Sequence, residues 1–168
     1  MKVLVIPSWH PTEDRPMWCR WVLPHIDCIR EAGADVFVLH VDLEAGDSSG
    51  PGGAAAARYV GPKHLYAPLP IHKHPFYRSR FFYHKFLRAY TECLLEVYRL
   101  VQEDWGRPDV VHAHVSLPAG FGAARLGASV GIPVVVTEHY SGFESDARFW
   151  WRVGCFVREM GRSIEGFY

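Results

Sequence analysis

"PDVVHAHVSLPAGFGAARLGASVGIPVVVTEH", residues 108–139, decides the fold. Its opening, "PDVVHAH", is apolar and β-branched and reads as a strand started by Pro108. "LPAGFGAARLGASVG" reads as a helix entered through Pro118 and ended at Gly131, and "IPVVVTEH" as a second strand, apolar on both faces. Strand, helix and strand in that order make a right-handed crossover between parallel strands. The first strand ends on two histidines. The two-residue repeat of a strand puts His112 and His114 on one face, with His114 at the mouth and His112 one step deeper.

The same pattern extends upstream. "KVLVI", residues 2–6, is a short strand ended by Pro7, and a long loop, "PSWHPTEDRPMWCRW", follows it. A helix is expected from about Leu23 to Ala32, with Pro24 in its first turn and Gly33 as its cap. "DVFVLHV", residues 35–41, is the next strand. Residues 44–57, rich in Gly, Ser and Ala, read as a surface loop, and "RYV" and "HLYA" as one short third strand. Phe82, Phe86, Tyr90, Leu94, Val97 and Val101 trace one apolar stripe along a long helix over 79–104. A last helix is expected over 146–162. No repeat or linker interrupts the chain, so residues 1–168 are expected to form one α/β domain. Its sheet would be doubly wound, Rossmann-like and parallel, with about five strands ordered 3-2-1-4-5 and helices on both faces. Sites in such sheets lie beyond the carboxyl ends of the strands where the winding reverses. That places the site on the loops after Ile6, Ala113 and Thr137.

Composition narrows the function. Lys plus Arg equals Asp plus Glu at 18 each, which argues against a chain-wide affinity for nucleic acid. No apolar run approaches the roughly 20 residues of a membrane span. Too few apolar residues precede Pro7 for a signal peptide, so a cytoplasmic protein is expected. Cys19, Cys28, Cys93 and Cys155 are scattered without a C-x-x-C pair and fit reduced packing thiols.

The expected site loops exclude further chemistries. Dinucleotide binding needs G-x-G-x-x-G directly after the first strand, and "PSWHPT" stands there, leaving Asp42 no glycine loop to work with. The glycines of "GFGAARLG", residues 120–127, fall inside a helix and serve close packing. His112 with His114, or His72 with His74, supply two ligands each and no third at a diagnostic spacing, so no metal site is expected. No G-x-S-x-G elbow marks a hydrolase. What remains is aromatic and imidazole surface: Trp9, His10, Trp18, Trp21, His114, His139 and Tyr140, with Ser8, Ser116, Glu138 and Ser141 as polar neighbours. Aromatic faces pack on the C–H faces of sugar rings, and imidazoles and hydroxyls bond their hydroxyls. Trp18 and Trp21 fit a core equally well, and His112 fits a buried imidazole bonded to a neighbouring backbone.

Together, "MKVLVIPSWHPTEDRP" and "PDVVHAHVSLPAGFGAARLGASVGIPVVVTEHYSGF" resemble the N-terminal domain of the retaining glycosyltransferases of family 4. Those enzymes pair two Rossmann-like domains in the GT-B architecture. The resemblance implies an acceptor-side domain that binds no cofactor of its own, with a nucleotide-sugar held by a separate C-terminal donor domain that this chain lacks. It also implies that His114 contacts the transferred sugar as the catalytic residue. Ser8, Trp9, His10, Ser116, Glu138, His139 and Tyr140 would line the cleft toward donor phosphates and acceptor. Two departures stand out. The loop turns into the first helix through "MWCRW", with Trp18 and Cys19 where family members usually carry a small residue, and the chain ends at Tyr168. The isolated chain is therefore expected to be inactive, and its bared crevice to favour self-association.

"PIHKHPFYRSRFFYHKFLR", residues 70–88, holds five Lys/Arg, six aromatics and no acid. It is either the start of the long helix, or a segment that lies on an anionic membrane surface as a peripheral contact or holds an acidic or lipid-linked acceptor, the expected partner being a glycan or glycolipid. The competing function is a stand-alone carbohydrate- or anion-binding module without chemistry.

Overall fold

The computed structural model of the protein describes residues 1–42, 52–69, 80–139, 158 and 166–167. Their core is a parallel sheet, ordered as the sequence predicts and longer at both edges. The strands are β1 (Lys2–Pro7), β2 (Asp35–Asp42), β3 (Arg58–Gly61), β4 (His64–Pro68), β5 (Val110–His114), β6 (Val134–Thr137) and β7 (Gly166–Phe167). Among the described residues their order is β3-β4-β2-β1-β5-β6-β7. The inner five, β4-β2-β1-β5-β6, are all parallel and reproduce the expected winding.

Two elements correct the expected count. "RYV" and "HLYA" are not one strand but an antiparallel hairpin, β3 against β4, turning at Pro62 and Lys63, with a register shift between Tyr59 and Gly61. At the other edge Gly166 and Phe167 pair in parallel with Val135 and Val136 as a further short strand. Neither β3 nor β7 has the apolar run that marks a buried strand, because among the described residues each has a single sheet neighbour. The end of the expected surface loop is also ordered: residues Gly53–Ala56 form a 3-10 turn whose Ala54 packs on the core. Of the helix expected over 146–162 only Arg158 is described, and it is helical.

Among the described residues three helices cover the sheet: α1 (Val22–Glu31), α2 (Arg80–Trp105) and α3 (Phe121–Val130). Alternation along each strand divides its side chains between the two faces. Leu4, Ile6, Phe37, Leu39, Val41, Val111, Ala113, Val134 and Val136 meet α2 and α3 in the larger core. Val3, Val5, Val36 and Val38 meet Val22 and Ile26 of α1 in the smaller one. The stripe on α2 lies where it is expected: Tyr90, Leu94, Val97 and Val101 are fully buried, and Phe86 packs beside them. Pro24 sits in the first turn of α1, where its missing N–H costs nothing, and Gly33 closes that helix at φ +85°.

The glycines of the third helix do pack closely. A Cβ on Gly122 would lie 2.9 Å from both Leu94 Cδ2 and Tyr90 Cε1 of α2. One on Gly127 would lie 2.6 Å from the carbonyl oxygen of Ile132, just before β6. Among the described residues no helix is long and apolar enough to cross a membrane.

Candidate functional site

The winding reverses between β1 and β5, and the loops leaving β1, β5 and β6 are stitched together there. Ser8 N–H donates to the carbonyl of His114 at 3.1 Å, and Val115 N–H to the carbonyl of Thr137 at 2.8 Å. Ser8 Oγ accepts from Ala119 N–H at 3.1 Å. The Glu138 carboxylate clamps two backbones, accepting from Ser116 N–H at 2.9 Å and from its neighbour His139 N–H at 2.8 Å. The chain turns out of β5 at Val115 with φ +75°, a conformation that costs a β-branched residue of order 1–3 kcal/mol and that the clamp holds in place. A single kinked turn over Ser116–Gly120 then leads into α3.

At the centre lies a nest of imidazoles on the α1 face of the sheet. The rings of His112 and His114 lie with centroids 4.3 Å apart and tilted at 33°, neighbours on one strand face. His112 Nε2 bonds Thr137 Oγ1 at 2.8 Å. His114 Nδ1 lies 3.1 Å from His139 Nε2. Trp21 and His25 close the nest from α1: the indole lies 4.1 Å from the His139 ring and 6.1 Å from that of His114, and His25 lies 5.6 Å from His114.

Their depths correct the expected order. His114 is fully buried, whereas His112 is only partly so. The strand end is not an open mouth because Trp21, His25 and His139 lie over it. Burial, and then the neighbouring imidazoles of His112, His139 and His25, push the pKa of His114 down to about 3. Burial with His25 and His139 brings His112 to about 4, and His139 shifts the same way, chiefly by burial. His112, His114 and His139 are therefore neutral near pH 7. Each neutral ring offers one donor and one acceptor. Among the described residues, His114 Nε2 and Ser116 Oγ are buried without a hydrogen-bond partner, two polar atoms lying two residues apart.

Of the residues expected to form the site, Ser8, His114, Ser116, Glu138 and His139 come together. Trp9 is partly exposed on the loop after β1, and Tyr140 and Ser141 lie outside the described residues, as do residues 70–79 of the basic aromatic segment. His10 goes elsewhere: its ring packs 4.4 Å from that of His64 and 5.6 Å from that of His40, on the other flank of the loop. Trp18 is 45% exposed, and Trp21 belongs to the site rather than to the core alone. His25 and Thr137 were missed. His25 follows Trp21 by four residues, which puts the two on one side of the helix, and that spacing was legible. Cys19 stands at φ +49°, a left-handed conformation that favours glycine.

Residues 16–164 match Glycosyltransferase Family 4. No curated protein matches the chain. Among solved structures, the fold is similar to an α,α-trehalose 6-phosphate synthase from Burkholderia multivorans, at 17% identity and a TM-score of 0.59, over 99% of this chain and 39% of that one. It is similar as well to a UDP-forming α,α-trehalose-phosphate synthase from Burkholderia vietnamiensis, at 14% identity and 0.55, over 99% and 39%. A UDP-GlcNAc 2-epimerase from Methanocaldococcus jannaschii matches at 15% identity and 0.54, over 100% and 39%. The chain thus spans about two fifths of each. With its winding, its crevice and a match over nearly its whole length, this chain belongs to glycosyltransferase family 4 and carries a glycosyltransferase-like, Rossmann-type domain.

Proposed function

We propose that this domain is the acceptor-side wall of a sugar-transfer site, completed by a donor domain that holds a nucleotide-sugar. One observation carries the reading: a neutral, buried imidazole with an unpartnered Nε2 stands at the reversal of the winding, where three loops converge. Sugar transfer passes through a cationic, oxocarbenium-like centre while a nucleoside diphosphate departs. A protonated imidazole beside that centre would repel it, and burial keeps His114 neutral. When His139 Nε2–H donates to His114 Nδ1, the opposite nitrogen of His114 carries the proton and becomes a fixed donor. Such a donor, aimed at a sugar hydroxyl or at oxygen that gains charge, stabilises the transition state at no cost in reorganisation.

Ser116 Oγ is a second polar group for the same ligand, and the indole of Trp21 offers an apolar face to a sugar ring. The described loops supply no cluster of cations for a diphosphate, so the donor domain is assigned that charge. The acceptor is a glycan or glycolipid on this reading.

The test supplies the chain with a donor domain, nucleotide-sugar and acceptor, and measures turnover. His114→Ala should lower kcat on the order of 100-fold, the effect of losing one transition-state donor. Unchanged kcat would remove His114 from the chemistry. Tight nucleotide-sugar binding by this chain alone, without turnover, would favour a binding module.

A further inference from the structure

A second imidazole cluster lies apart from the first, on the other flank of the loop that leaves β1. His40 comes from β2, His64 from the start of β4, and His10 from the loop. Register explains the first two. Val38 pairs with His64 and His40 with Tyr66, so alternation puts His40 and His64 on the same sheet face, one step apart on neighbouring strands. The loop delivers the third. Thr12 and Arg15 exchange backbone hydrogen bonds in a tight turn, and the Arg15 guanidinium pairs with Asp42 at the end of β2. That double anchor folds the loop over the strands and seats His10 on both histidines.

One nitrogen from each of the three rings lies within 4.8 Å of the other two. His40 Nδ1 and His64 Nε2 are buried and, among the described residues, have no hydrogen-bond partner. His40 is 2% exposed and His10 8%. His10 Nδ1 lies 2.8 Å from the carbonyl oxygen of Pro11. A carbonyl only accepts, so Nδ1 holds the proton and Nε2 keeps its lone pair, the outer-shell arrangement that fixes metal-binding histidines. Packing alone does not account for this arrangement. Two buried ring nitrogens without partners forfeit their hydrogen bonds to water, and tilted and edge-on ring contacts do not replace them.

We propose that His10, His40 and His64 bind a single divalent cation of the zinc class. Three nitrogen donors with no carboxylate among them select zinc, cobalt or nickel over magnesium or calcium. Tetrahedral Zn–N bonds place ligand nitrogens about 3.4 Å apart, so the rings close by at most about 1.4 Å from where they stand. All three are held neutral by burial, the form that ligates. The two guanidiniums that bear on the cluster are paired, Arg15 with Asp42 and Arg30 with Asp27. A pocket of about 270 Å³ opens beside it, lined by His10, Glu13, Asp14, Arg58, His64 and Tyr66. Its two carboxylates outnumber the single guanidinium of Arg58, and its volume admits a small ligand to a fourth coordination position.

The site stands independently of the sugar-transfer reading. It ties the loop after β1 to the sheet, and it serves that purpose with or without a donor domain.

The experiment uses the untagged chain, stripped of metal by a chelator and titrated with Zn²⁺ or Co²⁺ by calorimetry. One equivalent should bind, and Co²⁺ should show the intense visible absorption of a tetrahedral site. Saturating Zn²⁺ should raise the Tm by about 5–10 °C. Mg²⁺ and Ca²⁺ should leave it unchanged. His10→Ala changes a loop ring and His64→Ala a partly exposed ring at the start of an outer strand, so both variants should fold. Each should weaken Zn²⁺ binding on the order of 100-fold or more, since even outer-shell partners are worth 10- to 100-fold. His112→Ala, in the other nest, should bind as the parent does. Absence of stoichiometric binding, binding that survives both His10→Ala and His64→Ala, or binding lost in His112→Ala would each overturn the site.

Discussion

His114 Nδ1 lies 3.1 Å from His139 Nε2, and the two rings stack at 19° with their centroids 5.4 Å apart. A single proton sits between these nitrogens, so the tautomer of one ring fixes that of the other. The pair joins the end of β5 to the residue two beyond β6, and it makes the direction of the buried Nε2 a property of both strands. Trp21 lies over the pair from α1, which means that a ligand reaching His114 must displace the indole or use its face.

Trp21→Ala should therefore uncover His114 without unfolding the domain. In the parent chain His114 should resist carbethoxylation by diethyl pyrocarbonate, being fully buried. In the variant it should be modified at a rate comparable to that of an exposed histidine, read by peptide mass spectrometry. Equal protection in both chains would mean that α1 and the sheet, rather than the indole, close the site.

The pH dependence of stability follows from the same burial. Facing His112 and His114 are His25 of α1 and Trp21 just before it, then Thr137 at the end of β6 with Glu138 and His139 just beyond. The folded-state pKa values of His112 and His114 lie at about 4 and 3, below the unfolded value of 6.5. Between those limits the unfolded chain binds more protons than the folded one, so stability rises with pH. The contribution is complete above pH 6.5 and is lost as pH falls toward 4, with at most about 1.4 kcal/mol per pH unit for each histidine. The Tm should drop from pH 7 to pH 5, and drop less in His112→Gln. Identical profiles for parent and variant would show that His112 titrates as a solvated group.

Much of this was readable from the residues, and the misses have physical causes. The apolar runs at 2–6, 35–41, 110–114 and 134–137 name the strands because a strand buried on both faces has no polar side to disguise it. Edge strands β3 and β7 lack that signature, and a two-residue strand has no period at all. The His114 loop cluster was legible because the topology itself points to the ends of β1 and β5. His10 was misplaced because the loop after β1 has two flanks, and the Thr12–Arg15 turn with the Arg15–Asp42 pair decides which one it faces. His40 and His64 are 24 positions apart and lie on different strands; pairing register alone unites them, and a linear sequence does not display it.

Close packing of α3 gives a test of the fold itself. A Cβ on Gly127 would collide with Val134 Cγ2 and approach the Ile132 carbonyl to 2.6 Å, both fixed by β6 and the turn before it. Gly127→Ala gains helix propensity of just under about 1 kcal/mol but forces α3 away from the sheet. Overpacking of this kind costs about 1–3 kcal/mol, so a net loss is expected by urea denaturation. A variant as stable as the parent would mean that α3 sits farther from β6 than the structure has it.

Glu138 offers the sharpest separation of architecture from chemistry. Its two oxygens accept from the N–H groups of Ser116 and His139, one on the turn after β5 and the other after β6. Glu138→Ala leaves both donors without that acceptor and also frees the strained turn at Val115. Hydrogen bonds to a carboxylate are worth about 1.5–3 kcal/mol when buried, and partial exposure of Glu138 trims that, so a loss of about 1–3 kcal/mol is expected. Glu138→Gln keeps one carbonyl acceptor and should recover part of the loss. Because the clamp also aims His139 at His114, Glu138→Gln should lower kcat in the reconstituted transfer assay by about 10-fold while leaving KM nearly unchanged, the pattern of a positioning residue. A rise in KM at constant kcat would instead place the carboxylate in direct contact with substrate, and the clamp would then be secondary to binding.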